Sequence, residues 1–520
     1  METTIMRATA RVPSTSVSAL TVTEKHLVRR TLAAGLALGV VGDTLLRAGA
    51  SGIGFTLYVL ATLAALAVLM RARRAPWTLG ACLLLAPTLF FALAFVWRDS
   101  AELAFFNFLS VAVAMAALAT ALLRGEEWEP VASVGAYLRG GRRVALGTVT
   151  GSARLLRDAE QLRDHTGPGR LRHARAVARG AVVSVPLLLL FGSLLTSADP
   201  VFSRLVHEAF DIDFEVVAAH VMGTAIVGWI ASGYLRSALF TARPAAASAA
   251  EQRVSFGAVE IGVALGALDV LFLSFVLVQL RYLFGGDAHV ATTAGVSYAE
   301  YARSGFFELV WVTVLVLPLL LATDALLRPG DRRAQRTFRL LAATLLVLLG
   351  VVMFSAMERM WLYQRAYGLT GTRLYASAGM AWLALVFAWF AATVLRGRRA
   401  PFAFGGLVSA WLVVAALDVM NPDALIARTN LARLERGEPF DALYVGQLGA
   451  DATPLLLGAV ATLPEPQRCE VAKDLIRRTH EETDWRGWNF ARARADGALA
   501  TRVGDIATLR CPEAAASGGS

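Results

Sequence analysis

Apolar runs of about twenty residues recur along this chain almost to its end, and that repetition constrains the fold more than any other feature. The run GVALGALDVLFLSFVLVQL (262–280) is typical, with one acid in nineteen residues. Spanning roughly 30 Å of hydrocarbon takes about twenty such residues in an α-helix. The backbone of a helix satisfies its own hydrogen bonds inside lipid. A membrane β-barrel would instead alternate apolar and polar positions. The chain therefore predicts an all-α fold, a polytopic transmembrane helical bundle with a small C-terminal helical domain outside the cytoplasm.

Eleven spans are expected: Val28–Leu46, Gly52–Met70, Thr78–Trp97, Leu103–Leu123, Gly180–Ser197, Val216–Phe240, Ser255–Phe284, Phe306–Leu327, Leu340–Met357, Leu374–Leu395 and Phe402–Met420. They divide the 520 residues into an N-terminal tail (1–27), a four-helix region (28–123), a basic segment (124–179), a seven-helix core (180–420) and a polar tail (421–520). Hydrophobic residues make up 56% of the chain and charged residues 17%, against about 25% charged in an ordinary globular domain. Mean hydropathy is +0.55. Residues up to Arg30 are polar, with no short apolar core and cleavage site, so no cleaved signal peptide is expected.

Charge sets the expected orientation. A net +10 would suit nucleic acid if it formed one patch, but the arginines sit in short clusters between apolar runs. Every second loop is basic: the N-terminus, Arg71–Arg74, the segment 124–179, Arg236–Arg253, Arg328–Arg339 and Arg396–Arg399. Basic loops stay cytoplasmic. The N-terminus is thus expected inside and residues 421–520 outside, in a bacterial plasma membrane, with lipids as partners, a membrane-protein partner in view and no nucleic acid. In PLLLLFGSLLTSADPVFSRLVHEAFDIDFE (186–215), the acids that follow the leucines then fall in an outward loop. Cys469 and Cys511 would share the oxidising side, where a disulfide can form. The segment 124–179 reads either as an amphipathic helix on the inner leaflet or as a flexible topogenic loop.

Several stretches carry a resemblance: LLTSADPVFSRL (194–205), YAEYARSGFFELVWV (298–312), RAYGLTGTRLYA (365–376), NPDALIARTNLAR (421–433), FDALYVGQLGADATPLLL (440–457) and DWRGWNFARARA (484–495). Together they resemble an uncharacterised family of bacterial multi-pass membrane proteins, domain of unknown function four-one-seven-three, over most of the chain from about residue 180. The N-terminal third is similar only in being hydrophobic. The resemblance implies a membrane protein and no particular activity.

Three places invite a functional reading. A charge inside hydrocarbon is costly and often marks function. Asp269 shares a helix face with Gly262 and Gly266, and Asp43 shares one with Gly35 and Gly39. The glycines would admit a neighbouring helix, leaving these carboxylates either structural or linked to proton or ion movement. The second place, at the outer ends of spans seven to ten, collects Arg281, Tyr282, Tyr298, Tyr301, Arg303, Glu308, Glu358, Arg359, Tyr363, Arg365, Tyr367, Arg373 and Tyr375. Helical spacing puts Tyr301, Gly305 and Glu308 on one face, and Glu358, Trp361 and Arg365 on another. The set suits an anionic or lipid-headgroup pocket, and it also suits interfacial packing, where Tyr and Trp are enriched. Third, Asp211 and Asp213 are weak candidates for a divalent cation; they read more simply as solvated charge. In the tail, Trp485, Trp488 and Arg492 fall on one helical face, set to press on the bilayer or on the span ends.

No nucleophile–base pair, phosphate loop or zinc-type spacing stands out, and no cofactor is expected. The sequence favours a non-enzymatic envelope sensor, scaffold or partner subunit with an outward Tyr/Arg/Glu pocket. Two alternatives remain. One is a transporter using Asp269 and helices broken at Pro87, Pro186 or Pro318; the other is an envelope enzyme acting on a lipid-linked substrate.

Overall fold

The computed structural model describes residues 22–47, 52–124, 133–161, 214–240, 255–283, 305–479 and 484–507, with isolated positions between 180 and 199. Among them the architecture is all-α. The long helices are α1 (Val22–Leu46), α2 (Ile53–Arg73), α3 (Leu79–Trp97), α4 (Ala101–Arg124), α5 (Val134–Gln161), α6 (Phe214–Leu239), α7 (Ala258–Leu283), α8 (Phe306–Ala325), α9 (Arg332–Tyr367), α10 (Gly371–Thr393) and α11 (Phe402–Met420). Shorter helices follow: α12 (Pro422–Glu435), α13 (Ala442–Gly446), α14 (Thr453–Ala459), α15 (Glu465–Thr479) and α16 (Phe490–Ala507).

Nine described helices, α2 to α4 and α6 to α11, are long and apolar enough to cross a membrane. Each expected span within the described residues coincides with a helix, although α1 falls short of that apolar standard. The fifth expected span lies largely outside the described residues. The helix α9 is much longer than its expected span, at 36 residues. Asp331 caps its first turn by accepting the Ala334 N–H at 2.9 Å, so its basic N-terminal turns and its Tyr- and Arg-bearing C-terminal turns extend the apolar centre both ways. Helices of this kind are apolar all round. Leu79, Phe105, Val263, Val270 and Trp311 remain exposed on outer faces, as lipid-facing residues would be.

The chain divides into two compact units. One comprises residues up to Val40, Ala64–Pro76 and Thr148–Arg236. Here α1 and α6 cross at small residues. A Cβ on Gly39 would lie 2.6 Å from the Thr224 carbonyl oxygen and 3.0 Å from the Gly228 Cα, and one on Gly35 would overlap Ser232. The second half of α5 meets α6 in the same way, at Gly151 and Gly233, and Arg236 pairs with Asp158 at 2.8 Å. The basic segment thus contains a helix whose distal half packs on α6, rather than a flexible loop.

The other unit contains Val41–Leu63, Trp77–Gly147 and Ser237 onward. Its α3 and α4 form an antiparallel pair, α7 packs along α9, α8 contacts α9 and α10, and α11 joins α10 to α3 and α4. Leu265, Leu320, Phe338, Leu345, Val352 and Phe390 are among the buried residues of this membrane core. The tail has its own core, including Ile426, Val445, Leu456, Val471 and Leu475. This small helical domain meets the C-terminal ends of α3, α9 and α11 and the N-terminal ends of α2, α4 and α10. Those six ends share one side, as alternating passage through a membrane requires.

Candidate functional site

Two arginines fasten the C-terminal domain to the helix ends. A helix C-terminus leaves carbonyls unpaired, and a guanidinium can satisfy several at once. At the end of α9, Arg433 donates to the carbonyls of Ala366 at 3.1 Å, Gln364 at 3.4 Å and Arg365, and pairs with Glu438 at 2.7 Å. At the end of α11, Arg98 donates to the Asp418 carbonyl at 2.7 Å and to the Val419 carbonyl at 3.4 Å. It also pairs with Asp451 at 3.1 Å. Asp451 is 3% exposed, and it accepts further hydrogen bonds from the Asp99 N–H and the Asn421 side chain, both at 2.9 Å.

Beside this clamp lies a cavity of about 510 Å³, lined by Arg98, Asp99, Ser100, Glu102, Asn107, Gly371, Asp423, Tyr444, Gly449 and Arg492 among others. Its cations are committed: Arg98 to Asp451, and Arg492 to Asp99 at 2.7 Å. Among the described residues neither Glu102 nor Asp423 is in an ion pair. Asp423 accepts the Gly449 N–H at 2.8 Å. Burial pushes its carboxyl up to about 7; the neighbouring charges of Glu102 and Asp451 reinforce this, and the Gly449 N–H and Ser100 hydroxyl oppose it. The Tyr444 hydroxyl accepts the Gly371 N–H at 2.6 Å and keeps its own proton for donation. Burial and the negative charges of Glu102 and Asp423 push this phenol up as well.

Beside the cavity, the buried pair of Asn107 and Asp418 holds two unsatisfied acceptors, Asn107 Oδ1 and Asp418 Oδ2. Asn107 is 2% exposed. Its side-chain N–H donates to Asp418 at 2.9 Å, while its Oδ1 has no hydrogen-bond partner. Turning the amide over would set two oxygens against each other, so the free atom is the oxygen. Such buried acceptors are uncommon and costly. Gly449 closes the cavity wall through close approach. A Cβ there would overlap the Asp99 carbonyl oxygen and come within 2.5 Å of Asp423 Oδ2.

The residues singled out by sequence occupy other positions. Arg365 stacks on Trp361 at 3.5 Å, and Arg373 on Tyr363 at 4.0 Å. Arg373 also donates to the Gly368 carbonyl. Arg359 lies 3.5 Å from where a Gly305 Cβ would be, Glu308 is exposed in the first turn of α8, and Glu358 is half-buried on α9. Arg365 and Arg373 thus take part in aromatic and carbonyl packing at the helix ends. Tyr375 departs from it, reaching Ser100 at 3.3 Å beside the cavity. Gly305 has φ +79° and precedes α8, so it cannot share a helical face with Glu308 as expected. Tyr282, Tyr298, Tyr301, Arg303, Asp211, Asp213, Cys511 and the Arg281 side chain lie outside the described residues.

The intramembrane acids also part company. Asp43 pairs with Arg47 at 3.4 Å. Asp269 is 8% exposed and neither of its oxygens has a hydrogen-bond partner among the described residues. Its glycines do not mark a tight crossing: nothing lies within 4 Å of a Cβ at Gly266, and Gly262 has only the Thr337 methyl at 3.8 Å. The helices α3 and α8 continue through Pro87 and Pro318 rather than breaking there; Pro186 lies outside the described residues. In the tail, Trp485 belongs to a separate 3₁₀ turn and α16 starts only at Phe490. Trp485 and Trp488 stay exposed, whereas Arg492 turns inward to Asp99.

Cys469 is buried on α15 and disulfide-bonded, and Cys82 is a free thiol.

Sequence reasoning missed the cavity. Asn107 and Asp418 are buried polar residues inside expected spans, and the rule that singled out Asp269 would have flagged them. The Arg98-Asp99-Ser100 turn offered no comparable signal.

Neither a curated protein nor a solved structure matches the chain. A family model described as "Domain of unknown function (DUF4153)" matches residues 85–459. The motif resemblance pointed instead to the family numbered four-one-seven-three. The match begins well before residue 180, taking in most of α3 and all of α4, and ends before the stretch 484–495. It includes Asn107, Asp418, Asp423 and Asp451, and it covers most of the sequence: the chain belongs to the DUF4153 family, a domain of unknown function.

Proposed function

We propose that this protein is a non-enzymatic, multi-pass component of a bacterial plasma membrane that senses or presents a small ligand at its outer surface. The ligand site is the cavity between the helix ends and the C-terminal domain, not the Tyr/Arg cluster favoured by sequence. The observation that carries the reading is a roomy polar cavity in which the Glu102 and Asp423 carboxylates have no ion-pair partner among the described residues and the Tyr444 hydroxyl keeps its proton for donation, while Arg98, Asp451 and Gly449 order the wall. Polar groups left without a charged partner on a concave wall suit a ligand. Basic loops at the opposite helix ends support an outward C-terminal domain. The exposed rings of Trp485, Trp488 and Phe490 suit a membrane–water boundary.

Native mass spectrometry of the detergent-purified protein, joined to a thermal-shift screen of cationic, anionic, zwitterionic and neutral compounds, tests the reading. A bound molecule, or a stabilising compound, should be weakened or lost in Glu102→Gln, whose acid lines the cavity, and kept in Glu308→Gln, whose acid lies away from it. If no class of compound binds or stabilises, the site reading is wrong. The transporter alternative keeps one observation of its own, the unpartnered carboxylate of Asp269. Proton flux into proteoliposomes that disappears in Asp269→Asn would favour it.

A further inference from the structure

We infer that the membrane core binds an anionic phospholipid, with an acyl chain in a groove between α4, α5, α8, α10 and α11 and the headgroup phosphate on Arg124. The groove lies toward the helix ends away from the C-terminal domain, and the inference is independent of the cavity beneath that domain.

The groove has a volume of about 420 Å³, within the range of small-ligand clefts. Its wall is almost wholly apolar, with Leu138, Leu321, Trp382, Val386 and Phe402 among its residues. Two polar side chains of the wall are already spent within the protein. The Thr120 hydroxyl donates to the Ala117 carbonyl at 2.7 Å, and the Trp382 indole N–H to Ser409 at 3.2 Å. A Cβ on Gly141 or Gly406, both lining residues, would meet nothing within 4 Å. Small residues thus leave room that hydrocarbon can fill. The groove follows α4 from Val113 to Arg124, a rise of about 16 Å. One leaflet of a bilayer whose hydrocarbon is about 30 Å thick has nearly that depth.

Charge at the mouth selects the headgroup. Arg124 is the last residue of α4, exposed, and in no ion pair among the described residues. Burial pushes the Tyr137 phenol up to about 12 and the Arg124 charge opposes it, so the two are neighbours. Arg139, Arg142 and Arg143 of α5, and Arg396 and Arg398 just before α11, are likewise exposed and in no ion pair among the described residues. Arg399 beside them is taken by Asp324 at 2.8 Å. A guanidinium fits a phosphate in two-pronged fashion, and basic pockets between membrane helices bind anionic headgroups. A free phosphate would find nothing in the apolar wall. A zwitterionic choline lipid would bring its own cation against these arginines.

The test is native mass spectrometry of the detergent-purified full chain, given phosphatidylglycerol and phosphatidylcholine in equal amounts. Phosphatidylglycerol should be retained in preference. Arg124→Gln should lower that preference about tenfold, the usual worth of a charge-assisted hydrogen bond. Arg333→Gln removes an exposed arginine that does not line the groove and should leave it unchanged. Gly406→Leu adds a side chain where a Cβ meets no neighbour, so it should fold, and it should cut retention of either lipid.

Equal retention of the two lipids, equal effects of the two arginine variants, or full retention in Gly406→Leu would overturn the inference. So would retention of glycerol phosphate as strong as that of the lipid. Two other occupants have their own signatures, and either one would also overturn it. Glu126, Glu127 and Glu129 follow Arg124 and lie outside the described residues. If only a chain carrying Glu126→Gln, Glu127→Gln and Glu129→Gln retains phosphatidylglycerol, that segment is the occupant. A lipid-free dimer that is lost in Gly406→Leu would assign the groove to a second copy.

Discussion

Asp423 shows how a single buried carboxyl ties stability to pH. Burial favours its neutral form, with Glu102 and Asp451 facing it as further negative charge and the Gly449 N–H and Ser100 hydroxyl as donors. Its folded value of about 7 lies above the ordinary carboxylate range near 4. The folded protein therefore holds this proton more tightly than the unfolded chain, and stability falls as pH rises between about 4 and 7. Asp423→Asn removes the dependence, so it should raise the melting temperature at pH 8 more than at pH 5. Equal shifts at both pH values would mean that Asp423 does not titrate in this way.

At the scale of elements, arginine joins the helices to the domain. The end of α9 has its last carbonyls covered by Arg433, a residue of the following domain rather than of α9 itself. Arg433→Ala should expose those carbonyls and leave Glu438 to Arg436 alone, costing at least about 2 kcal/mol through lost charge-assisted bonds. Limited proteolysis should then cut between α9 and α12 faster, while the spans stay inserted. Arg98→Ala should cost more, about 3–5 kcal/mol, because Asp451 would remain buried without its main partner. If thermal stability and cleavage rate match the native protein, the clamps do not hold the domain. The spans themselves were legible in the sequence, since an apolar run of sufficient length needs no knowledge of its neighbours. The clamps were not. Arg98 and Asp451 are 353 positions apart, and Asn489 and Asp99 are 390 apart. Their meeting depends on helix packing that leaves no local periodicity. The tail cluster failed for a related reason: helical spacing relates Trp485 to Arg492 only if the helix is unbroken, and Asn489 caps a new helix between them by accepting the Arg492 N–H at 2.7 Å.

For the whole molecule, the six helix ends under the C-terminal domain lie on one side of the helices, and the proposal that this side is the outer one rests on loop charge. Cysteine gives an independent reading of the same question. Thiols stay reduced in the cytoplasm and pair outside it. Cys82, in the apolar helix α3, is free, whereas Cys469, in the domain, is disulfide-bonded. The chain has three cysteines, and Cys511 is the expected partner of Cys469. Denatured, unreduced protein should therefore titrate as one thiol, and reduced protein as three. In a Cys82→Ser variant, a membrane-impermeant maleimide applied to intact cells should label the chain only after mild external reduction. Labelling that requires cell lysis would put the domain and its cavity on the cytoplasmic side, and three free thiols before reduction would agree with that inverted map.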